Sequence, residues 1–168
     1  MSTNVSGLQL SDMDEIDKIG EIIHGSGIDL DLVKLEITET LMVENPEHAA
    51  AALGKLKALG VSLAIDDFGT GYSSLSYLHT FPLDTLKIDR AFVTAMDQTD
   101  DSLRIVKSIA GLAMALGMTI VAEGIEEDHQ TSALKDLGCH YAQGFLFARP
   151  QPAAEALALL QSGKIWAC

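Results

Sequence analysis

Ala64-Ile65-Asp66-Asp67-Phe68-Gly69-Thr70-Gly71-Tyr72-Ser73-Ser74 places two adjacent carboxylates at the end of an apolar run, directly before a glycine-rich turn. Val61 to Ile65 has strand composition and follows Gly60, a helix-ending residue, so the strand is expected to give out at Asp66, with Asp67 the first loop residue. Carboxylates this close raise one another's pKa unless a cation is shared between them. A pair at the C-terminal end of a strand is a usual way to hold one or two divalent metals. Gly69 and Gly71 let the loop fold back over a bound group. The same residues also suit a plain turn, with one carboxylate capping a short helix begun at Ser73 or Ser74.

Outward from this stretch the glycines act as punctuation. Leu59-Gly60, Leu116-Gly117 and Leu137-Gly138 each close a helical pattern and precede a short apolar or β-branched run, and each run ends in a polar residue at a similar offset: Asp66, Glu123 and Gln143. Strands are expected at Thr3 to Ser6, Lys34 to Thr38, Ser62 to Ile65, Thr85 to Ile88, Thr119 to Ala122 and His140 to Gln143. Between them, Asp12 with Glu15 reads as a capping box for a helix ending near Gly25, and Asn45-Pro46 as the start of another. Helical spacing also runs from Thr99 or Asp100 to Leu116, from Asp128 to Leu137, and from Pro152 toward Gln161. Strand alternating with helix means a parallel sheet, and no linker or low-complexity segment divides residues 1–168 into more than one domain.

Side chains alternate faces along a strand. Leu35 and Ile37 therefore oppose Glu36, Leu63 and Ile65 oppose Asp66, Leu86 and Ile88 oppose Lys87 and Asp89, and Ile120 and Ala122 oppose Glu123. The polar groups converge on one side. In a (β/α) barrel that side is the interior, whose C-terminal mouth carries active sites, whereas an open doubly wound sheet would bury both faces and strand Glu36 and Lys87.

Composition narrows the chemistry. An apolar content of 48% is ample for one core, and the formal net charge of −13 argues against nonspecific DNA or RNA binding. No apolar run reaches the ~18 residues of a membrane span, and Met-Ser-Thr-Asn-Val is no signal peptide, so a cytoplasmic protein is expected. Cys139 and Cys168 match no metal spacing and read as free thiols. The five histidines share no metal spacing and receive no role. Glu126-Glu127-Asp128 is read as a helix N-terminus complementing its dipole.

Asn4, Glu36, Asp66, Asp67 and Glu123 are oxygen donors of the kind Mg²⁺ or Mn²⁺ prefers. Lys87 adds a positive charge among them and Gln143 an amide. Such a set suits two-metal hydrolysis of a phosphodiester, with Lys87 steering water or neutralising developing charge. Each member also has a plain structural use: Glu36 as an edge-strand acid, Lys87 and Asp89 as an ion pair, Asn4 as a solvated amide near the terminus.

Leu35-Glu36-Ile37-Thr38-Glu39, Asp66 to Ser74, Leu86-Lys87-Ile88-Asp89-Arg90, Val121-Ala122-Glu123-Gly124-Ile125-Glu126 and Gln143-Gly144-Phe145-Leu146-Phe147, in this order, resemble the bacterial EAL domain. The resemblance runs from Asn4 to Pro152. It implies a TIM-like barrel and hydrolysis of cyclic di-GMP to linear pGpG with Mg²⁺ or Mn²⁺; Ca²⁺, with longer bonds and looser coordination, is expected to inhibit. It also implies metal ligation by Asn4, Glu36, Asp66, Asp67 and Glu123, and a water-positioning Lys87. Substrate contacts fall to Asp89 and Gln143, and Glu39 anchors the Asp66 to Ser74 loop. Glu123 is a metal ligand, a general base or both.

The Glu-Ala-Leu signature, whose glutamate is a further ligand in relatives, is not among these residues. A barrel of this class needs about eight strands and ~250 residues, so an N-terminally incomplete barrel is expected, open to self-association or homodimer formation through its edge. A receptor that binds cyclic di-GMP without cutting it, or a structural remnant, are the alternatives to a phosphodiesterase.

Overall fold

A computed structural model describes residues 1–39, 45–69 and 78–163. The expected helix start at Ser73 or Ser74 and the thiol of Cys168 lie outside them. Six strands and seven α-helices are described: β1 Ser2–Val5, α1 Gly7–Leu10, α2 Met13–Gly25, β2 Lys34–Thr38, α3 Pro46–Ala58, β3 Ser62–Phe68, β4 Thr85–Ile88, α4 Arg90–Ala95, α5 Asp100–Ala115, β5 Thr119–Ala122, α6 Asp128–Asp136, β6 Tyr141–Ala142 and α7 Ala153–Gln161. The strands pair in sequence order, every neighbour parallel. Among the described residues β1 and β6 pair with nothing further, so the sheet is an unclosed arc of a barrel.

The outward strand residues Leu35, Ile37, Leu63, Ile65, Leu86, Ile88, Ile120 and Ala122 are each at most 1% exposed. They share one core with Leu53 and Leu56 of α3, Val106 and Ile109 of α5, and Leu134 of α6. Each fully buried Leu or Ile contributes about 1.5–3 kcal/mol, so the helix-facing side carries the fold and leaves the other face to polar groups. There Lys34 Nζ donates to Thr85 Oγ1 at 3.0 Å, one layer below Lys87.

Helix ends follow local chemistry. Asn45 Oδ1 accepts from His48 N, with Pro46 in the first turn of α3, and Thr99 Oγ1 accepts from Ser102 N at the start of α5. Gly60, Gly117 and Gly138 take positive φ where chain leaves helix for strand. Asp12 does cap α2, but by accepting from Asp14 N, without the reciprocal bond expected of Glu15.

Two strand expectations are corrected, and one helix is added. β3 does not give out at Asp66 but continues to Phe68, with its register against β4 shifting between Ile65 and Phe68. The strand expected at His140 to Gln143 is only Tyr141–Ala142, although His140 N and Gln143 N still donate to Ile120 O and Ala122 O of β5, and His140 Nδ1 accepts from Ile120 N. Helix α4, capped by Asp89, was not anticipated: its six residues are too few to show a helical period.

Candidate active site

Lys87 is 5% exposed, and its Nζ is where the inward side chains meet. It donates to Glu36 Oε2 at 2.9 Å, Asp66 Oδ1 at 2.8 Å and Glu123 Oε1 at 2.7 Å, joining β2, β3 and the end of β5 to β4. Burial by itself lowers an ammonium's pKa. Hydrogen bonds to Asp66, Glu123 and Glu36 override that and raise it, so Lys87 stays charged.

Parity alone would turn Asp66 and Asp67 to opposite faces. The register shift removes that alternation: Asp67 takes φ 52°, the one non-glycine at positive φ among the described residues, and its amide donates to Asp66 Oδ1 at 3.0 Å. Asp66, Asp67 and Glu123 then bring one carboxylate oxygen each to within 4.8 Å of one another. Burial, followed by the charges of Asp66 and Asp89, raises the pKa of Asp67. Burial also raises that of Glu123, against the pull of Lys87.

Four carboxylates (Glu36, Asp66, Asp67, Glu123) against one ammonium leave three negative charges uncompensated around a single point. An all-oxygen cluster with that deficit and raised carboxyl pKa values fits hard divalent cations.

The remaining expected residues are placed as follows. Asn4 pairs in register with Glu36 and shares its face, but is exposed, and its side chain makes no hydrogen bond to the cluster among the described residues. Asp89 accepts from Ala91 N at 2.8 Å and meets the Asp67 carboxyl, rather than forming an ion pair with Lys87. Glu39 is 2% exposed and accepts from Gly69 N at 2.7 Å, two residues beyond Asp67. Gln143 joins Glu123 in lining a cavity of about 460 Å³ whose other walls include Arg90, Thr94, Glu126 and Phe145. Sequence reading gave Arg90 no role, although its place just past the C-terminal end of a strand was the available signal.

Gly124 has φ 72°, and a Cβ there would meet Arg90 Cβ at 2.3 Å; one on Gly144 would meet Ile125 O at 2.0 Å. Only glycine lets the loops after β5 and β6 and the start of α4 close this tightly around the cavity.

A parallel βα sheet with an acidic cluster at its C-terminal ends is the wall of a (β/α)-barrel domain whose candidate site lies at the barrel's C-terminal mouth. The EAL domain family matches residues 1–150, and the chain belongs to it. The EAL domain of Mycobacterium smegmatis DcpA superposes with a TM-score of 0.91 at 41% identity, over 98% of this chain and 73% of that one. The bifunctional diguanylate cyclase/cyclic di-GMP phosphodiesterase MucR of Pseudomonas aeruginosa is 39% identical over 94% of this chain and 23% of its own length. Klebsiella pneumoniae BlrP1, in its manganese complex with cyclic di-GMP, superposes with a TM-score of 0.80 at 33% identity, over 89% of this chain and 38% of that one. The chain spans between 20% and 24% of the length of the first curated relatives it matches. No described helix is long and apolar enough to cross a membrane.

Proposed function

We propose that this chain carries the reacting face of a cyclic di-GMP phosphodiesterase, opening the cyclic dinucleotide to linear pGpG with Mg²⁺ or Mn²⁺. The observation that carries this reading is the convergence of Glu36, Asp66 and Glu123 on Lys87 Nζ, with Asp67 turned into the same cluster. Asp66, Asp67, Glu123, Glu36 and Asn4 would hold the cations. Bound there, divalent cations supply Lewis-acid neutralisation of a phosphodiester's charge.

The chain's own groups do the rest. Lys87 Nζ, a buried ammonium at the meeting point of Glu36, Asp66 and Glu123, would hold water or a phosphate oxygen. Glu123, beside Lys87 at the end of β5, would ligate a cation, accept a proton or do both. Glu39, through Gly69 N, holds the strand end that presents Asp67. Gln143, which lines the cavity with Glu123, and Asp89, beside Asp67, would contact substrate. Complexes of relatives with cyclic di-GMP support the ligand class, and the calcium and manganese complexes of BlrP1 support a divalent site.

The test is titration of the purified chain with cyclic di-GMP in Mg²⁺, Mn²⁺, Ca²⁺ and EDTA, with product analysis. Linear pGpG in Mg²⁺ or Mn²⁺ and its absence in EDTA are expected. Ca²⁺ should permit binding without turnover, because its longer, looser coordination misplaces the attacking group. Equal turnover in Ca²⁺ and Mg²⁺ overturns the two-metal reading, and binding without product in Mn²⁺ makes the chain a receptor. Asp66→Asn should lose far more than tenfold in turnover with its fold intact, since a missing ligand costs several kcal/mol at the transition state.

A further inference from the structure

Gln130 lies outside the acidic cluster, on α6, yet is 5% exposed and has both ends of its amide engaged. Its Oε1 accepts from Glu126 N at 3.0 Å and Glu127 N at 3.2 Å, and its Nε2 donates to Asp97 Oδ2 at 2.8 Å. The other Asp97 oxygen lies 3.0 Å from His129 Nε2, so the carboxylate is oriented from two sides. A helix cap needs only the bond to Glu127 N, and leucine would fill the volume without the desolvation cost of an amide. The bonds to Glu126 N and Asp97 are surplus to both uses.

Those surplus bonds join two segments that line the 460 Å³ cavity. Glu126 lines it on the loop that begins with Glu123, while Asp97 follows α4, whose Arg90 and Thr94 line it too. The space between Gly124 and Arg90 has no slack for a Cβ, so a small displacement of this loop changes both Glu123 and the cavity.

We infer that Gln130, braced by Asp97, is a positioning residue. It clamps the Glu123–Glu127 loop against α4 and so fixes where the Glu123 carboxylate stands. The inference rests on the cation-dependent phosphodiesterase reading for its effect on turnover, but not for its effect on the loop or on a divalent cation.

The test uses the full chain with three variants: Gln130→Glu, which keeps the acceptor and opposes Asp97 with a like charge; Asp97→Asn; and the double variant, in which the amide introduced at position 97 can donate to the carboxylate introduced at position 130. Three readouts are taken: hydrogen exchange of the Glu126 and Glu127 amides, affinity for Mn²⁺ alone by electron paramagnetic resonance, and kcat and KM for cyclic di-GMP in Mn²⁺. Gln130→Glu should speed exchange and weaken Mn²⁺ about tenfold, with a kcat loss of similar size, as expected for a group that orients a ligand from behind. The double variant should recover most of each loss.

Faster exchange with Mn²⁺ affinity and kcat at parental values reduces Gln130 to a helix cap and overturns the inference. Unchanged exchange, or a double variant no better than the single ones, also overturns it. A parent that binds Mn²⁺ but cleaves no cyclic di-GMP sinks the proposed function alone, with exchange and Mn²⁺ affinity still deciding the role of Gln130. A parent that binds no Mn²⁺ sinks both.

Discussion

At the scale of single residues the site is defined by charge that the chain cannot neutralise by itself. Lys87 answers one of the four surrounding carboxylates in charge, and burial, with the neighbouring carboxylates adding to it, raises the pKa values of Asp67 and Glu123. The sign of the linkage follows. A carboxyl whose folded pKa lies above its unfolded one binds its proton more tightly when folded, so its ionised form opposes folding. That penalty is present at neutral pH and is relieved as pH falls through the raised folded pKa toward the ordinary carboxylate range. Asp67→Asn, which removes the repelled charge and tolerates positive φ nearly as well, should therefore raise Tm in EDTA at pH 7. The advantage should shrink as pH is lowered toward 4, roughly the unperturbed carboxyl value. With saturating Mn²⁺ the order should reverse, because the parent alone has the full ligand set. Calorimetric scans of both proteins across pH, with and without Mn²⁺, check this, and an Asp67→Asn protein less stable than its parent in EDTA at pH 7 refutes it.

At the scale of elements, glycines divide by what surrounds them. A Cβ on Gly144 would lie 2.0 Å from Ile125 O and 2.3 Å from Ile125 N, rigid backbone on both counts, whereas Gly54 of α3 and Gly111 of α5 have nothing within 4 Å. Gly144→Ala should force the loops after β5 and β6 apart and cost several kcal/mol, within the roughly 1–3 kcal/mol of overpacking or above it. Gly54→Ala or Gly111→Ala, in exposed helix interiors, should stabilise by about 0.5–1 kcal/mol. Urea titrations of the three variants read these out, and a Gly144→Ala protein as stable as its parent counts against the close approach. The same division explains how far sequence reading reached. Glycine-terminated helices and alternating strands declare themselves locally, which is why β2, β4 and β5 were legible to the residue. The inward convergence of Glu36, Asp66, Lys87 and Glu123 followed from parity. The sharing of one cluster by Asp66 and Asp67 did not, since it depends on a register shift set by the neighbouring strand. The bond between Gln130 and Asp97 was invisible for the same reason: it joins residues 33 apart in the chain.

At the scale of the whole molecule, an arc of parallel strands presents unpaired edges at β1 and β6 among the described residues. Beside β1, Ile19, Ile22, Ile23, Ile28 and Val33 line an apolar cavity of about 500 Å³, and Ile22 remains 71% exposed. Helix α7 also buries none of its residues, with Leu157 55% and Leu160 79% exposed. Apolar surface beside an unpaired strand is what a barrel wall shows where further strand and helix units belong, and unpaired edges of that kind favour association. Asn4, alone among the expected cation donors, sits on an edge strand, so its placement should gain most from a strand added beside β1. The chain covers 73% of the DcpA EAL domain and 63% of the MucR phosphodiesterase structure. Supplying in trans the portion of such a domain that this chain does not cover should therefore raise Tm and turnover together, and should shift any self-associated species toward a one-to-one complex. Calorimetry, sedimentation equilibrium and pGpG formation follow the three effects. A monodisperse monomer whose Tm and rate are indifferent to the added polypeptide would show that these edges and apolar faces are self-sufficient, and that Asn4 needs no neighbour to hold it.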